Sequence, residues 1–170
     1  MPIEHILVPT DFSETATRAL RHAMEEATAH RARVTLLHVL PAGSGTDVYY
    51  MTSASVPNMA NDPDASARVG APWPSRPTTV VRDDHTETAL TQLRDLIPYA
   101  NRASWRVELA VGHPADTIVR IAKEHEADLI VMGTHGRTGL QHVLLGSVAE
   151  KVVRLAPCPV LTVKHARGDE

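Results

Sequence analysis

Apolar residues in this chain gather into short continuous runs, and longer stretches of helical spacing separate those runs. Ile3 to Val8 reads as a buried strand ending at Pro9-Thr10-Asp11. From Ser13 to His30, the residues Ala16, Ala19, Leu20, Ala23 and Ala27 recur on one helical face, with Ser13 placed to cap the helix. Val34 to Leu40 is too continuously apolar for a strand with one wet face and predicts a second buried strand. A helix around Thr86 to Tyr99 follows, carried by Ala89, Leu90, Leu93, Leu96 and Ile97. Trp105 to Val111 alternates as a third strand through Trp105, Val107, Leu109 and Val111. Pro114 opens the next helix, where its missing N–H costs nothing; Ala115, Ile118, Val119, Ile121 and Ala122 form its buried face. Asp128 to Met132 and Pro159 to Val163 are the fourth and fifth strands, with a helix-like segment, Val148 to Leu155, between them.

Strands that alternate with helices and are apolar on both faces predict a parallel sheet covered on both sides. The expectation is an α/β fold: an open, doubly wound, five-stranded parallel sheet, Rossmann-like, in one domain spanning 1–170. One segment breaks the rhythm. Residues of about 41–78 hold six of the chain's twelve prolines, plus Gly43, Gly45 and Gly70, with no sustained period. So long an irregular connection is either a mobile insertion or a functional lid or docking arm, with Val48-Tyr49-Tyr50-Met51 as its adhesive part.

Composition narrows the function classes. A chain of 170 residues can bury a substantial core, and with aromatics at 4% that core must be filled by Val, Leu, Ile and Ala. The net charge of −3 lacks the basic footprint of a nucleic-acid binder. No run reaches the length of a membrane-spanning helix and no signal-peptide pattern opens the chain, so a cytoplasmic location is expected. Cys158, the one cysteine, can form no intramolecular disulfide.

The chemistry concentrates after the fourth strand, in Met132-Gly133-Thr134-His135-Gly136-Arg137 and on to Gly146-Ser147-Val148. Two residues separate Gly133 from Gly136, and nine separate Gly136 from Gly146. A glycine-rich turn that leaves a strand and reaches a helix N-terminus suits an anion: backbone N–H groups can approach it closely and the helix dipole favours negative charge. In an open parallel sheet, ligands sit beyond the carboxyl ends of the strands where the strand order reverses. If the first and fourth strands are neighbours there, Asp11 shares the crevice with the glycine loop. A carboxylate repels phosphate, so Asp11 is expected to accept hydrogen bonds from a ribose hydroxyl or a base amino group. An anionic end and a donor end together describe a nucleotide.

Those residues resemble a known family. The spacing of Gly133, Gly136 and Gly146-Ser147 is similar to the ATP-binding signature of the universal stress proteins. The opening Ile6-Leu7-Val8-Pro9-Thr10-Asp11-Phe12-Ser13 resembles that family's first strand and loop, and Pro157-Cys158-Pro159-Val160-Leu161-Thr162-Val163 its last strand. The resemblance covers Met1 to about Leu40 and about Thr86 to Lys164. It implies that Asp11, with Pro9, Thr10 and Val39, holds the adenosine part and that Met132 and Gly133 line the ribose. Gly136, Arg137, Gly146, Ser147 and Val148 would wrap the phosphates. It further implies ATP as the ligand, with Mg2+ or Mn2+ on the phosphates, and a homodimer paired through Val160, Leu161, Thr162 and Val163. The implied role is a stress-responsive regulator read by a protein partner; the alternatives are a slow ATP hydrolase on the same fold or a protein-interaction module no longer dependent on nucleotide.

The residues themselves agree that fast catalysis is not expected. The loop has no Gly-Lys-Ser/Thr and no lysine; Arg137 is its one formal cation, with His135 a second candidate for touching phosphate, as is His142. Phosphoryl transfer needs concentrated positive charge and a positioned nucleophile, and no catalytic base stands out, so hydrolysis should be slow if it occurs. Plainer roles stand beside the ligand roles. Ser147-Val148-Ala149-Glu150 is a capping-box pattern, Asp11 suits a turn before the Ser13 cap, and the last strand is an ordinary sheet edge. The ten histidines lack metal-site spacing, and Cys158, held between prolines, reads as structural.

Overall fold

A computed structural model of the chain describes residues 2–40, 84–97, 104–136 and 145–164. The 41–78 insertion, Arg137 and His142 lie outside the described residues. The elements run in the order β1 (His5–Pro9), α1 (Glu14–His30), β2 (Arg33–Leu40), α2 (Asp84–Asp95), β3 (Trp105–Val111), α3 (Pro114–Glu124), β4 (Leu129–Gly133), α4 (Ser147–Leu155) and β5 (Val160–Val163). Their ends differ from the sequence reading by a residue or two, except that α2 ends at Asp95, four residues before the expected Tyr99.

The five strands form one parallel sheet in the order β3-β2-β1-β4-β5. Alternation within β1 sends Ile6 and Val8 to one face, where they pack with Leu20 and Ala23 of α1 and Leu90 and Leu93 of α2. Leu7 points to the other face and packs with Ile118 and Ile121 of α3 and Val152 of α4. The sheet is therefore doubly wound, as its apolar runs predict. Each such buried aliphatic side chain contributes about 1.5–3 kcal/mol, so the two layers supply most of the stabilisation. Ser13 caps α1, its hydroxyl accepting from the Ala16 amide at 3.2 Å.

Topology positions the site. From β1 the chain runs outward to β2 and β3, then crosses back to lay β4 on the other side of β1. The carboxyl ends of β1 and β4 thus flank the point where strand order reverses, and a crevice opens there.

The polar residues between the apolar positions of β3 are buried too: Arg106 and Glu108 are 5% and 0% exposed. Their face is covered by the layer that contains α3, so a strand at the sheet edge is buried on both sides.

Candidate functional site

The first wall is the turn after β1. The Thr10 amide donates to the Leu37 carbonyl of β2 at 2.8 Å, and the Thr10 hydroxyl accepts from the Phe12 amide at 3.1 Å. Asp11 Oδ1 accepts from the Ser13 amide at 3.1 Å, an Asx turn leading into the α1 cap. Phe12 sits at φ 65°, in the left-handed region that a bulky side chain rarely occupies. His38, in β2, donates its Nδ1–H to the Thr10 carbonyl at 2.8 Å, and its ring lies 4.6 Å from that of Phe12.

The second wall is the exit from β4. Gly133 abuts the first turn of α1, where a Cβ would lie 3.0 Å from the Thr15 carbonyl carbon and 3.1 Å from the Ala16 nitrogen. The Thr15 hydroxyl donates to the His135 carbonyl, and Thr134 is buried with its amide donating to Val163 at 2.9 Å. The opening of the glycine loop is thus fastened to α1 on one side and β5 on the other. Gly136, expected beside the phosphates, lies against Asp11: a Cβ there would come 2.6 Å from Asp11 Oδ2.

The third wall is α4, and here the sequence reading needs a correction. Ser147 does not cap the helix; it is the first helical residue, and Gly146 is the cap, with no side-chain hydrogen bond. The Gly146 amide donates to the Thr134 carbonyl at 2.7 Å, which ties the chain to the β4 exit one residue before Ser147 and starts the helix there. The capping-box pattern therefore lies inside the first turn. The amides of Ser147, Val148 and Ala149 have no helical acceptor and carry the positive end of the helix dipole.

These walls enclose a cleft of about 300 Å³. Pro9, Thr10, Asp11, Val39, Met132, Gly133, His135, Gly136, Gly146, Ser147 and Val148 all line it, so every expected residue among those described is brought together. Leu37, His38, Pro114, Ile118 and Thr134 line it as well and were missed. His38 had a signal, as the one polar interruption of the apolar run Leu36 to Leu40. Pro114 and Ile118 had none, because only the tertiary fold lays α3 against β2 beside the cleft.

A second polar cluster is buried toward the amino ends of the strands. His5 Nε2 meets the Thr35 hydroxyl at 2.9 Å, and His5 Nδ1–H donates to the His125 carbonyl at 3.0 Å. His125 Nδ1 stands 3.5 Å from Glu108 Oε2. Burial pushes Glu108 up to about 7, against the pull of Arg106, and pushes His5 and His125 down to about 4. Between those values all three are neutral, so the His125–Glu108 approach is no ion pair. Burial also raises the Cys158 thiol, helped by the Asp128 carboxylate, in keeping with a structural cysteine. Among the described residues, no group of three or more His, Cys, Asp or Glu side chains could hold a metal, and no helix is long and apolar enough to cross a membrane.

Comparison with known proteins places this geometry in context. The model of the universal stress protein family matches residues 2–164. Universal stress protein MJ0577 of Methanocaldococcus jannaschii is 32% identical, with the alignment covering 94% of each chain. The solved structure of MJ0577 matches with a TM-score of 0.69 at 31% identity, covering 99% of this chain and 100% of that one. A universal stress protein from Archaeoglobus fulgidus, solved in complex with dAMP, matches with a TM-score of 0.54 at 26% identity, covering 96% of this chain and 100% of that one.

Proposed function

The chain belongs to the universal stress protein family, and from that premise we propose that it binds ATP in this cleft as a nucleotide-dependent stress-response regulator of the cytoplasm. One observation carries the reading: the first turn of α4, uncapped by any side chain, and the Asp11 carboxylate line the same cleft. The helix end suits phosphate and the carboxylate suits the hydroxyls of a ribose, so a nucleotide is held from opposite ends. The dAMP complex of the Archaeoglobus fulgidus relative supports an adenine nucleotide in a fold of this kind. Mg2+ or Mn2+ would arrive with the nucleotide, because these hard cations favour phosphate oxygens. Such an ion would neutralise phosphate charge where the loop supplies little.

The test is direct. Purified protein is denatured and any released nucleotide identified, and the affinities for ATP and AMP are then measured by calorimetry. Retained adenine nucleotide, or ATP binding that exceeds AMP binding, is expected; the absence of both retained nucleotide and measurable ATP affinity would refute the reading.

The same reading includes a homodimer through the last strand. β5 ends the sheet, Leu161 on it is 38% exposed, and Val153 and Leu155 of α4 are also exposed. An apolar strand edge of this kind is a template for pairing with a second copy. Leu161→Lys should therefore convert a dimer to a monomer by sedimentation at micromolar concentration. A wild-type protein that sediments as a monomer would count against the pairing.

A further inference from the structure

The back of the turn that carries Asp11 is an unassigned part of the cleft. The Thr10 carbonyl and the Asp11 amide belong to one planar peptide unit, so whatever fixes that carbonyl fixes the direction in which Asp11 leaves the strand. His38 holds it, with Nδ1–H donated at 2.8 Å from β2, a strand hydrogen-bonded to β1. The same imidazole packs against Phe12 at a 44° tilt, with 4.6 Å between ring centroids. Phe12 occupies its left-handed conformation at φ 65°, a backbone state that persists only where surroundings over-determine it.

We infer that His38 is a positioning residue for the Asp11 carboxylate, acting through the Thr10–Asp11 peptide plane and the Phe12 ring; the inference rests on the nucleotide reading above. One side chain braces both ends of the strained turn. Asp11 is then presented with Oδ1 already engaged by the Ser13 amide, so the carboxylate meets a ligand in a preset orientation. Preorganisation of this kind raises affinity by removing an ordering cost at the moment of binding. A loosened turn would let Phe12 relax out of the left-handed region and swing Asp11 with it.

The test is a double-mutant cycle on the full chain, read as ATP affinity by calorimetry. His38→Phe keeps a ring against Phe12 and removes the donor, whereas His38→Asn places an amide N–H where Nδ1 stands. His38→Phe should weaken ATP binding about tenfold, and His38→Asn should restore it to within about threefold. In an Asp11→Ala background, His38→Phe should change affinity by less than about twofold, because the group being positioned is gone. An equal loss in both backgrounds would show generic structural damage and overturn the inference, as would wild-type affinity in His38→Phe. If the wild-type protein binds no ATP, the nucleotide reading fails by itself, and hydrogen exchange at the Phe12 and Ser13 amides decides the remainder. Faster exchange in His38→Phe, reversed in His38→Asn, supports the brace; unchanged exchange overturns it.

Discussion

Gly136→Val is expected to weaken ATP binding at least about a hundredfold while the fold loses no more than about 1.5 kcal/mol. A Cβ at this position would sit 2.6 Å from Asp11 Oδ2, closer than any real contact. The clash falls on the far end of a side chain and not on backbone, so the carboxylate yields and the backbone does not. Yielding costs the site its oriented acceptor and the Ser13 amide its 3.1 Å partner, and the branched side chain also enters the cleft. Gly133→Ala supplies the contrast. There the Cβ meets the Thr15 carbonyl carbon at 3.0 Å and the Ala16 nitrogen at 3.1 Å, which are backbone atoms of a helix. Neither β4 nor α1 can shift alone, so Gly133→Ala should cost about 1–3 kcal/mol of stability in urea titration. One glycine of the signature thus guards the ligand and the other guards the packing. Calorimetry paired with urea melts separates them, and wild-type ATP affinity in Gly136→Val would remove that part of the loop from the site.

The difference between those two glycines marks where the sequence was legible. Strands β1, β2 and β4 are apolar enough to be buried on both faces, so their existence and parallel pairing follow from Ile6-Leu7-Val8, Val34 to Leu40 and Leu129 to Met132. Ser13 and Pro114 announce the starts of α1 and α3 by local chemistry, and both stand at those starts. The lining of the cleft follows once β1 and β4 flank the point where strand order reverses, because their carboxyl ends then share one crevice. What escaped depends on contacts between segments far apart in the chain. Nothing within Gly146-Ser147 says that the Gly146 amide will find the Thr134 carbonyl and displace the serine from the cap. Nothing in Trp105 to Val111 says that Arg106 and Glu108 will be buried, because charged side chains are ordinarily left in water.

Glu108→Gln tests that hidden cluster and should separate from wild type by about 3 kcal/mol at pH 8 while matching it near pH 4. Burial is the main cause of all three shifts, and their signs differ. Glu108 rises from 4.5 to about 7 on folding, so its contribution is complete below pH 4.5 and is lost as pH rises through 7. His5 and His125 fall from 6.5 to about 4, so theirs is complete above pH 6.5 and is lost as pH falls through 4. Arg106, Arg120 and Glu124 face Glu108 and His125, while Arg33 and Asp128 face His5, and none of them reverses these directions. In the wild type two histidines work against one carboxyl, leaving a net loss of about 3 kcal/mol between pH 6.5 and 4. Glutamine mimics the neutral acid at every pH and removes the opposing carboxyl. The variant should therefore lose about twice as much over the same acid range, starting from a higher plateau. Urea titrations from pH 4 to 9 read this directly. A variant less stable than wild type at pH 8 would mean that Glu108 is ionised in the fold, with Arg106 as a true partner, and that the carboxylate holds the edge strand by charge.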